Sequence, residues 1–471
     1  MVFNSLTFAA FFAIVLMLHA MPLAWTTKKV NLLVASYLFY AAWSPPFVLL
    51  LWLSTVVDWW AARRIAQAST PWRRRTWLIA SLSVNLGMLG WFKYGEFILG
   101  NTQLLAASLG IDYQPPAWDF VLPVGISFYT FATLSYTLDV YLRRTEPCRS
   151  LLDFSLFVTF FPHLVAGPIM RASQLLPQFA APRTASADQL RFGLLLITLG
   201  LFQKVVLADG FLSLPADIVF GADRPAGWLD AWIGTLAFGG QIFCDFAGYS
   251  TTAIGVALCL GFAMPDNFRF PYAAIGFTDF WRRWHVSLST WLRDYLYIPL
   301  GGNRRGAART ALALMLTMLL GGLWHGANWT FVVWGGLHGL FLIAERALRH
   351  RYAGYRPGLL ASLGLGVLTW LLVNLAWVFF RADSLDRARS LLRGLLGLNA
   401  EALPLLAGVH VLSVALIVAA IVGAHAGMRS RTLESVLARV PAAALATTWA
   451  LMAFAIIIEQ GDGDAFIYFQ F

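Results

Sequence analysis

The chain has 471 residues, of which 59% are hydrophobic and 12% charged, with 20 tryptophans and a formal net charge of +10. Soluble domains carry roughly 25% charged residues, so the composition excludes a soluble enzyme and describes an all-α, polytopic membrane protein in a single domain over 1–471. The basic excess is what Lys and Arg gathering in cytoplasmic loops produces, and no nucleic-acid partner is needed to explain it.

From the N-terminus, "MVFNSLTFAAFFAIVLML" lacks a positive flank and a small-residue cleavage site, and reads as a retained first span rather than a signal peptide. Apolar stretches of the length that crosses a bilayer follow at 30–43, 46–60, 77–94, 121–142, 192–212, 229–262, 310–344, 358–380, 404–427 and 438–459. Those at 229–262 and 310–344 are long enough to bend or reverse, giving about ten to twelve helices. Pro45 and Pro46 break the chain between two spans, because proline removes a backbone donor and restricts the residue before it.

Basic loops at 26–29, 63–76, 142–149 and 171–191 set the orientation, with these loops cytoplasmic and the N-terminus outside. The stretch 150–170, with Pro162, His163 and Pro168, lies between two of them and cannot cross once. It is expected to be re-entrant, which requires its backbone to be buried in protein. The same charge argument makes 310–344 enter from the cytoplasm and return. The fifteen residues from Thr310 to Trp324 reach about 22 Å as helix, placing His325 deep in the membrane near the turn. Residues 379–393 suit an amphipathic surface helix. The loops near 95–120 and 213–228 read as short external connections.

A lone buried histidine is more often a core residue bonded to a carbonyl. His325, however, is accompanied by Asn328 and His338, and the glycines at 321, 322 and 326 loosen its helix. An ionisable group within a membrane marks a functional site by default. Over 279–300, a helical repeat puts Trp281, Trp284, Leu288, Trp291, Leu292 and Tyr295 on one face and Arg282, Arg283 and Arg293 off it, with His285 at the edge. That is the pattern of an interfacial helix. The loop "PLGGNRRGAAR" at 299–309 then brings Arg304 and Arg305 beside glycines, a combination that suits phosphate oxygens. Asp139, Asp245 and Tyr249 lie at membrane depth or its edge, and a basic structural partner is expected for the acids. Cys148, Cys244 and Cys259 have no metal-ligand spacing and read as packing residues.

The stretches "LPVGISFYTFATLSYTLDVY" (122–141), "FFPHLVAGPI" (160–169), "FWRRWHVSLSTWLRDYLYIPLGG" (280–302), "GGLWHGANWTFVVWGGLHG" (321–339) and the terminal "AFIYFQF" (465–471) resemble the membrane-bound O-acyltransferases, in particular those of the bacterial alginate O-acetylase type. The resemblance runs the length of the chain. It implies a helical fold with a central tunnel, a multi-pass protein of the bacterial inner membrane, and an O-acetyltransferase that binds no cofactor and uses acetyl-CoA as donor. It places the family's histidine on His325 and its second polar position on His285. Asn328 is a lesser candidate for supporting an oxyanion, and Trp281, Arg282, Arg283, Arg304 and Arg305 are candidates for holding the donor. The implied acceptor is an exopolysaccharide, alginate first and cellulose second, reached through a periplasmic acetyltransferase partner. The resemblance leaves open whether His325 carries the acetyl group covalently. A non-enzymatic transporter or scaffold of an export complex is the reading from another class.

Overall fold

The structure, a computed structural model, describes residues 1–118, 120–355, 357–399 and 402–459. Among these the regular structure is helical and contains no strand. The terminal "AFIYFQF" motif lies outside the described residues. The described chain falls into two compact units: Met1–Leu194 with Ala253–Pro265, and Leu195–Thr252 with the chain from Asp266 onward.

The first unit holds α1 (Leu6–Ala20), α2 (Trp25–Ala41), α3 (Val48–Gln67), α4 (Pro71–Leu89), α5 (Gly95–Ser108), α6 (Ile126–Tyr141), α7 (Leu151–Thr159), α8 (Phe161–Leu164) and α9 (Ala172–Phe179). Proline recurs where helices begin, Pro162 in the first turn of α8 among them, because its fixed φ fits there and its missing N–H costs nothing. Pro45–Phe47 forms a 3₁₀ turn leading into α3, and Pro71 starts α4. The 95–120 stretch, expected as a simple loop, contains the 14-residue α5; its Phe97, Ile98, Leu104 and Leu105 occur at spacings that support a helix but are too few to read as a span.

Polar side chains within α3, α4 and α6 satisfy one another. Asp58 accepts from Ser81 Oγ and, at 2.9 Å, from Asn85 Nδ2, while Ser54 Oγ donates to Asn85 Oδ1 at 2.6 Å. This network lets fully buried polar groups sit in apolar surroundings at little cost. The 150–170 stretch is two short helices broken at Phe160, with Phe154 to Phe161 almost wholly enclosed. Neither helix is long enough to cross a bilayer, as the charge pattern requires. His163 there is structural, its Nε2 lying 2.9 Å from the Phe157 carbonyl.

The second unit begins within α10 (Ala187–Leu201) and continues through a wide π-helical stretch, Phe202–Ser213, into α11 (Leu214–Gly221). It then comprises most of α12 (Trp228–Cys259), α13 (Phe277–Trp281), α14 (Val286–Leu292), α15 (Gly306–His325), α16 (Trp329–Arg351), α17 (Leu359–Arg381), α18 (Leu385–Leu395), α19 (Gly408–Met428), α20 (Leu433–Leu437) and α21 (Ala442–Ile458). Contrary to the expectation of a bend, α12 runs unbroken for 32 residues, about 48 Å. No proline interrupts it. The stretch 310–344 does reverse, as α15 and α16 joined by a three-residue turn at 326–328. Residues 385–395 form the expected amphipathic helix, with Ala388, Leu391 and Leu395 buried.

Among the described residues, seven helices are long and apolar enough to cross a membrane: Pro45–Gln67, Ala187–Gly221, Trp228–Cys259, Gly306–His325, Trp329–Arg351, Leu359–Arg381 and Gly408–Met428. Leu6–Ala20 and Ala442–Ile458 are apolar but shorter. The protein is multi-pass.

Candidate functional site

The turn between α15 and α16 is built by close backbone approach. A Cβ added to Gly322 would fall 3.1 Å from the Gly335 Cα and still closer to the Phe331 carbonyl oxygen. Small residues thus let the two helices touch, as membrane helices do in the absence of a hydrophobic driving force between them. This corrects the expectation that glycines loosen the helix: α15 is continuous through Gly321 and Gly322 to its last residue, His325. At Gly326 the chain turns extended, and Asn328 caps α16 by accepting from the Thr330 N–H at 3.0 Å. The other end of the Asn328 amide donates to the Asp383 carbonyl at 2.9 Å. The Oδ1 and one Nδ2 hydrogen of that side chain are engaged in holding the turn, which makes Asn328 first of all a cap residue.

His325 is 3% exposed. Its ring meets Trp324 at 4.9 Å, Trp334 at 5.1 Å and Phe380 at 5.3 Å between centroids, the Trp334 contact edge-on at 88°. His338, one turn beyond Trp334, lies on the far side of that indole at 4.8 Å and is stacked near Phe280 and edge-on to Trp281. Trp281 is therefore part of an aromatic wall beside Trp334, at 5.9 Å. The Nε1 atoms of Trp281 and Trp334 and both ring nitrogens of His338 are buried without a hydrogen-bond partner among the described residues.

The 279–300 segment is not the single interfacial helix expected from its periodicity. It breaks between α13 and α14, where His285 takes the left-handed conformation at φ 42°, ψ 56°. A non-glycine residue there stores backbone strain, a condition that concentrates at functional sites. The break turns His285 inward to complete burial, with its ring 4.6 Å from Phe246 and 6.2 Å from Trp324. Burial pushes the imidazole down to about 3, so it is neutral. Both histidines therefore contact Trp324.

Asn267, which periodicity gave no reason to single out, anchors this arrangement. Its Oδ1 lies 3.2 Å from His285 Nδ1 and accepts from the Ser287 N–H at 3.2 Å and Ser287 Oγ at 2.8 Å. Its Nδ2 donates to Ser250 Oγ on α12 at 3.1 Å.

The basic residues divide. Arg283 is committed internally: its Nε meets Asp279 Oδ1 at 2.9 Å, and its Nη1 donates to the Arg269 and Arg429 carbonyls, both at 3.1 Å. Asp279 also binds Arg429 at 2.8 Å. Although burial opposes its charge, bonds from the Ile275 N–H, Arg429 and Arg283 hold its carboxyl below the usual range. Arg282, Arg304 and Arg305 are exposed. The loop carrying the last two is shaped by Gly301 and Gly302, both at positive φ, and held by Arg309 Nε on the Leu300 carbonyl and by Arg346 on Asn303 Oδ1. Of the membrane-depth acids, Asp245 pairs with Lys204 at 2.7 Å, which also binds Asp209 at 2.8 Å. Asp139 pairs with Arg144 at 3.5 Å. Cys244 and Cys259 are buried and Cys148 partly so.

A buried imidazole pair walled by aromatic rings at a helix turn, with exposed guanidinium groups at the start of the same helix, suits proton transfer to and from an uncharged substrate group. The family model described as MBOAT, the membrane-bound O-acyltransferase family, matches residues 148–377. The chain is 46% identical over 363 residues to a Pseudomonas aeruginosa protein named "Probable alginate O-acetylase AlgI", covering 77% of this chain and 68% of the relative. An Azotobacter vinelandii protein of the same name is 45% identical over 362 residues, covering 77% and 71%. A Helicobacter pylori protein named "Peptidoglycan O-acetyltransferase" is 38% identical over 404 residues, covering 80% and 75%. The chain belongs to the membrane-bound O-acyltransferase family. It is an O-acyltransferase.

Proposed function

We propose that this protein O-acetylates an exopolysaccharide, alginate first, taking the acetyl group from acetyl-CoA on the cytoplasmic side of the bacterial inner membrane and delivering it outward through a periplasmic acetyltransferase partner. The observation that carries the reading is the pair of buried imidazoles beside Trp324 at the α15–α16 turn, in a chain 46% identical to a relative whose name specifies alginate acetylation. The peptidoglycan-named relative, at 38%, supplies the competing acceptor.

In the chemistry proposed, His325 takes the proton of the acceptor hydroxyl as its oxygen attacks the thioester carbonyl, forming a C–O bond. The tetrahedral intermediate collapses with cleavage of the C–S bond, and the thiolate leaves with the proton returned from His325. A base so placed is worth about 10²–10⁴ in rate. His285 orients the donor or supports the developing charge, and Arg282, Arg304 and Arg305 hold the donor's phosphates as charge-assisted forks. Arg283 and Trp281 shape the site from within: the first ties α13 to the end of α19, and the second walls His338.

The test is acetyl transfer by membranes containing this chain. Labelled acetyl-CoA supplied to inside-out vesicles should label polymer or partner protein in a His325-dependent manner. Deleting the gene should lower the acetyl content of secreted alginate by NMR. Unchanged acetylation of every secreted polymer, with acetyl lost from peptidoglycan instead, would transfer the assignment to the second acceptor.

A further inference from the structure

We infer that Asn267 holds His285 in a single tautomer, with the proton on Nδ1 and the lone pair on Nε2, so that His285 accepts a hydrogen bond during acyl transfer and does not donate one to the oxyanion. The inference rests on the reading of His285 as a participant in that reaction.

The two ends of a carboxamide differ only in what they bond, so their identity has to come from partners whose roles are fixed. The Ser287 backbone N–H is such a partner: it can only donate, and it lies 3.2 Å from one end of the Asn267 amide. That end is the oxygen. The opposite end lies 3.1 Å from Ser250 Oγ, which accepts from Nδ2. A carboxamide oxygen has no proton to give, so His285 Nδ1, 3.2 Å away, has to carry one. In a neutral imidazole the other nitrogen then bears the lone pair.

The arrangement is enforced from several directions. Asn267 also accepts the Val286 N–H on its backbone carbonyl at 2.9 Å, so one residue clasps the chain on the C-terminal side of His285 through both its main chain and its side chain. This clasp opposes relaxation of the left-handed backbone at His285. Asn267, Ser250 and His285 are 1%, 2% and 0% exposed, so bulk water does not compete for the amide. The rings of Phe246 and Phe268 flank the imidazole at 4.6 and 6.4 Å and restrict its rotation.

The chemical consequence is a division of labour. Nε2 of His285 receives an N–H, such as an amide of the donor's uncharged arm. Negative charge on the tetrahedral intermediate has to be met elsewhere, and the Trp334 indole N–H, buried beside His325, is a donor of the right kind. Asn267 is a positioning residue: it acts on the reaction through His285.

The experiment compares Asn267→Leu, which removes both amide ends at similar size, with Asn267→Asp, which keeps the acceptor for Ser287 and His285 and can accept from the Ser250 hydroxyl. Asn267→Leu should lower kcat by about 10–100-fold, the usual reach of a lost orienting partner, while KM for acetyl-CoA stays within about twofold. Asn267→Asp should recover most of that loss. In parallel, ¹⁵N spectra of histidine-labelled protein, with the His285 signals identified by their absence in His285→Gln, should show the proton on Nδ1 in the native chain and in Asn267→Asp. A native spectrum with the proton on Nε2 overturns the inference. So does a folded Asn267→Leu protein with native kcat. Should Asn267→Leu fail to fold, Asn267→Asp with a kcat loss as large as that of His285→Gln overturns it equally. If the native chain turns over no donor, the reaction reading fails while the spectrum still decides the tautomer.

Discussion

Replacing Gly322 by alanine tests whether the α15–α16 turn positions His325 through backbone contact. The new methyl would lie 3.1 Å from the Gly335 Cα and closer still to the Phe331 carbonyl, where ordinary contact begins at 3.4 Å. Both obstacles are backbone, so neither can step aside as a side-chain tip could. The helices must separate by a few tenths of an ångström at Gly335 and by more at Phe331. Overpacking of this kind costs about 1–3 kcal/mol, and displacing a catalytic group by about 1 Å costs on the order of 10²-fold in rate. Gly322→Ala should therefore lose roughly tenfold or more in acetyl transfer and melt earlier in detergent. Gly336→Ala is the internal control, because its methyl would meet only Leu319 Cδ2 at 3.5 Å and should behave as native. Equal effects of the two substitutions, or none from Gly322→Ala, would refute the close-packing argument and return these glycines to a role in flexibility.

Three further outcomes follow from the same geometry. His325→Ala should abolish acetyl transfer while the chain still accumulates in membranes; near-native polymer acetylation would remove His325 from the chemistry. Because burial lowers the His285 imidazole to about 3, protonation in the unfolded chain below its ordinary value near 6.5 should erode stability as pH falls, with the full contribution present above that value. The native protein should lose about 2 kcal/mol from this source at pH 5, and a detergent melt of His285→Gln should lack that part of the slope; identical slopes would refute it. Charge reversal at Arg304 and Arg305 should raise the KM for acetyl-CoA about tenfold or more, since charge-assisted bonds to phosphate are lost, and leave the KM for acetyl-pantetheine, which has no nucleotide, unchanged.

What the sequence made legible was what depends on charge and apolar length. The Arg-rich flanks forced 310–344 to return, and it does so at 326–328; the same rule required the broken, enclosed segment at 150–170. Periodicity failed where tertiary contacts overrode it. The 279–300 pattern is consistent with one amphipathic helix, yet His285 adopts a positive φ and breaks it, because Asn267 grips residues 286 and 287 from outside the helix. A repeat of apolar positions carries no trace of that grip. Asn328 stands out in the sequence because a polar residue interrupts an apolar run, and only the folded chain shows its oxygen and one amide hydrogen committed to the cap and to Asp383. Arg283 and Arg282 are adjacent and chemically alike in the sequence; what separates them is Asp279, which takes one of them.

The depth of the histidines sets a requirement on the donor. The loop carrying Arg304 and Arg305 meets the beginning of α15, where the Thr310 hydroxyl donates to the Gly302 carbonyl at 2.9 Å. Leu292, at the end of α14, lies near Gly321 at the other end of that helix. The chain between α14 and the loop therefore descends alongside α15 by about 16 Å, the rise of eleven residues, so His285 stands at the level of Trp324 and not at the surface with the arginines. From Thr310 to His325 the helix rises about 22 Å. A donor whose charged head rests at Arg304 and Arg305 can bring its carbonyl to the level of Trp324 and the two imidazoles only if the intervening arm is uncharged and of comparable length, because charge carried to that depth would have to be desolvated. A nucleotide thioester with a long amide-containing arm meets both conditions, and an acyl phosphate meets neither. The arm's amides are also the groups for which a buried acceptor nitrogen on His285 has a use.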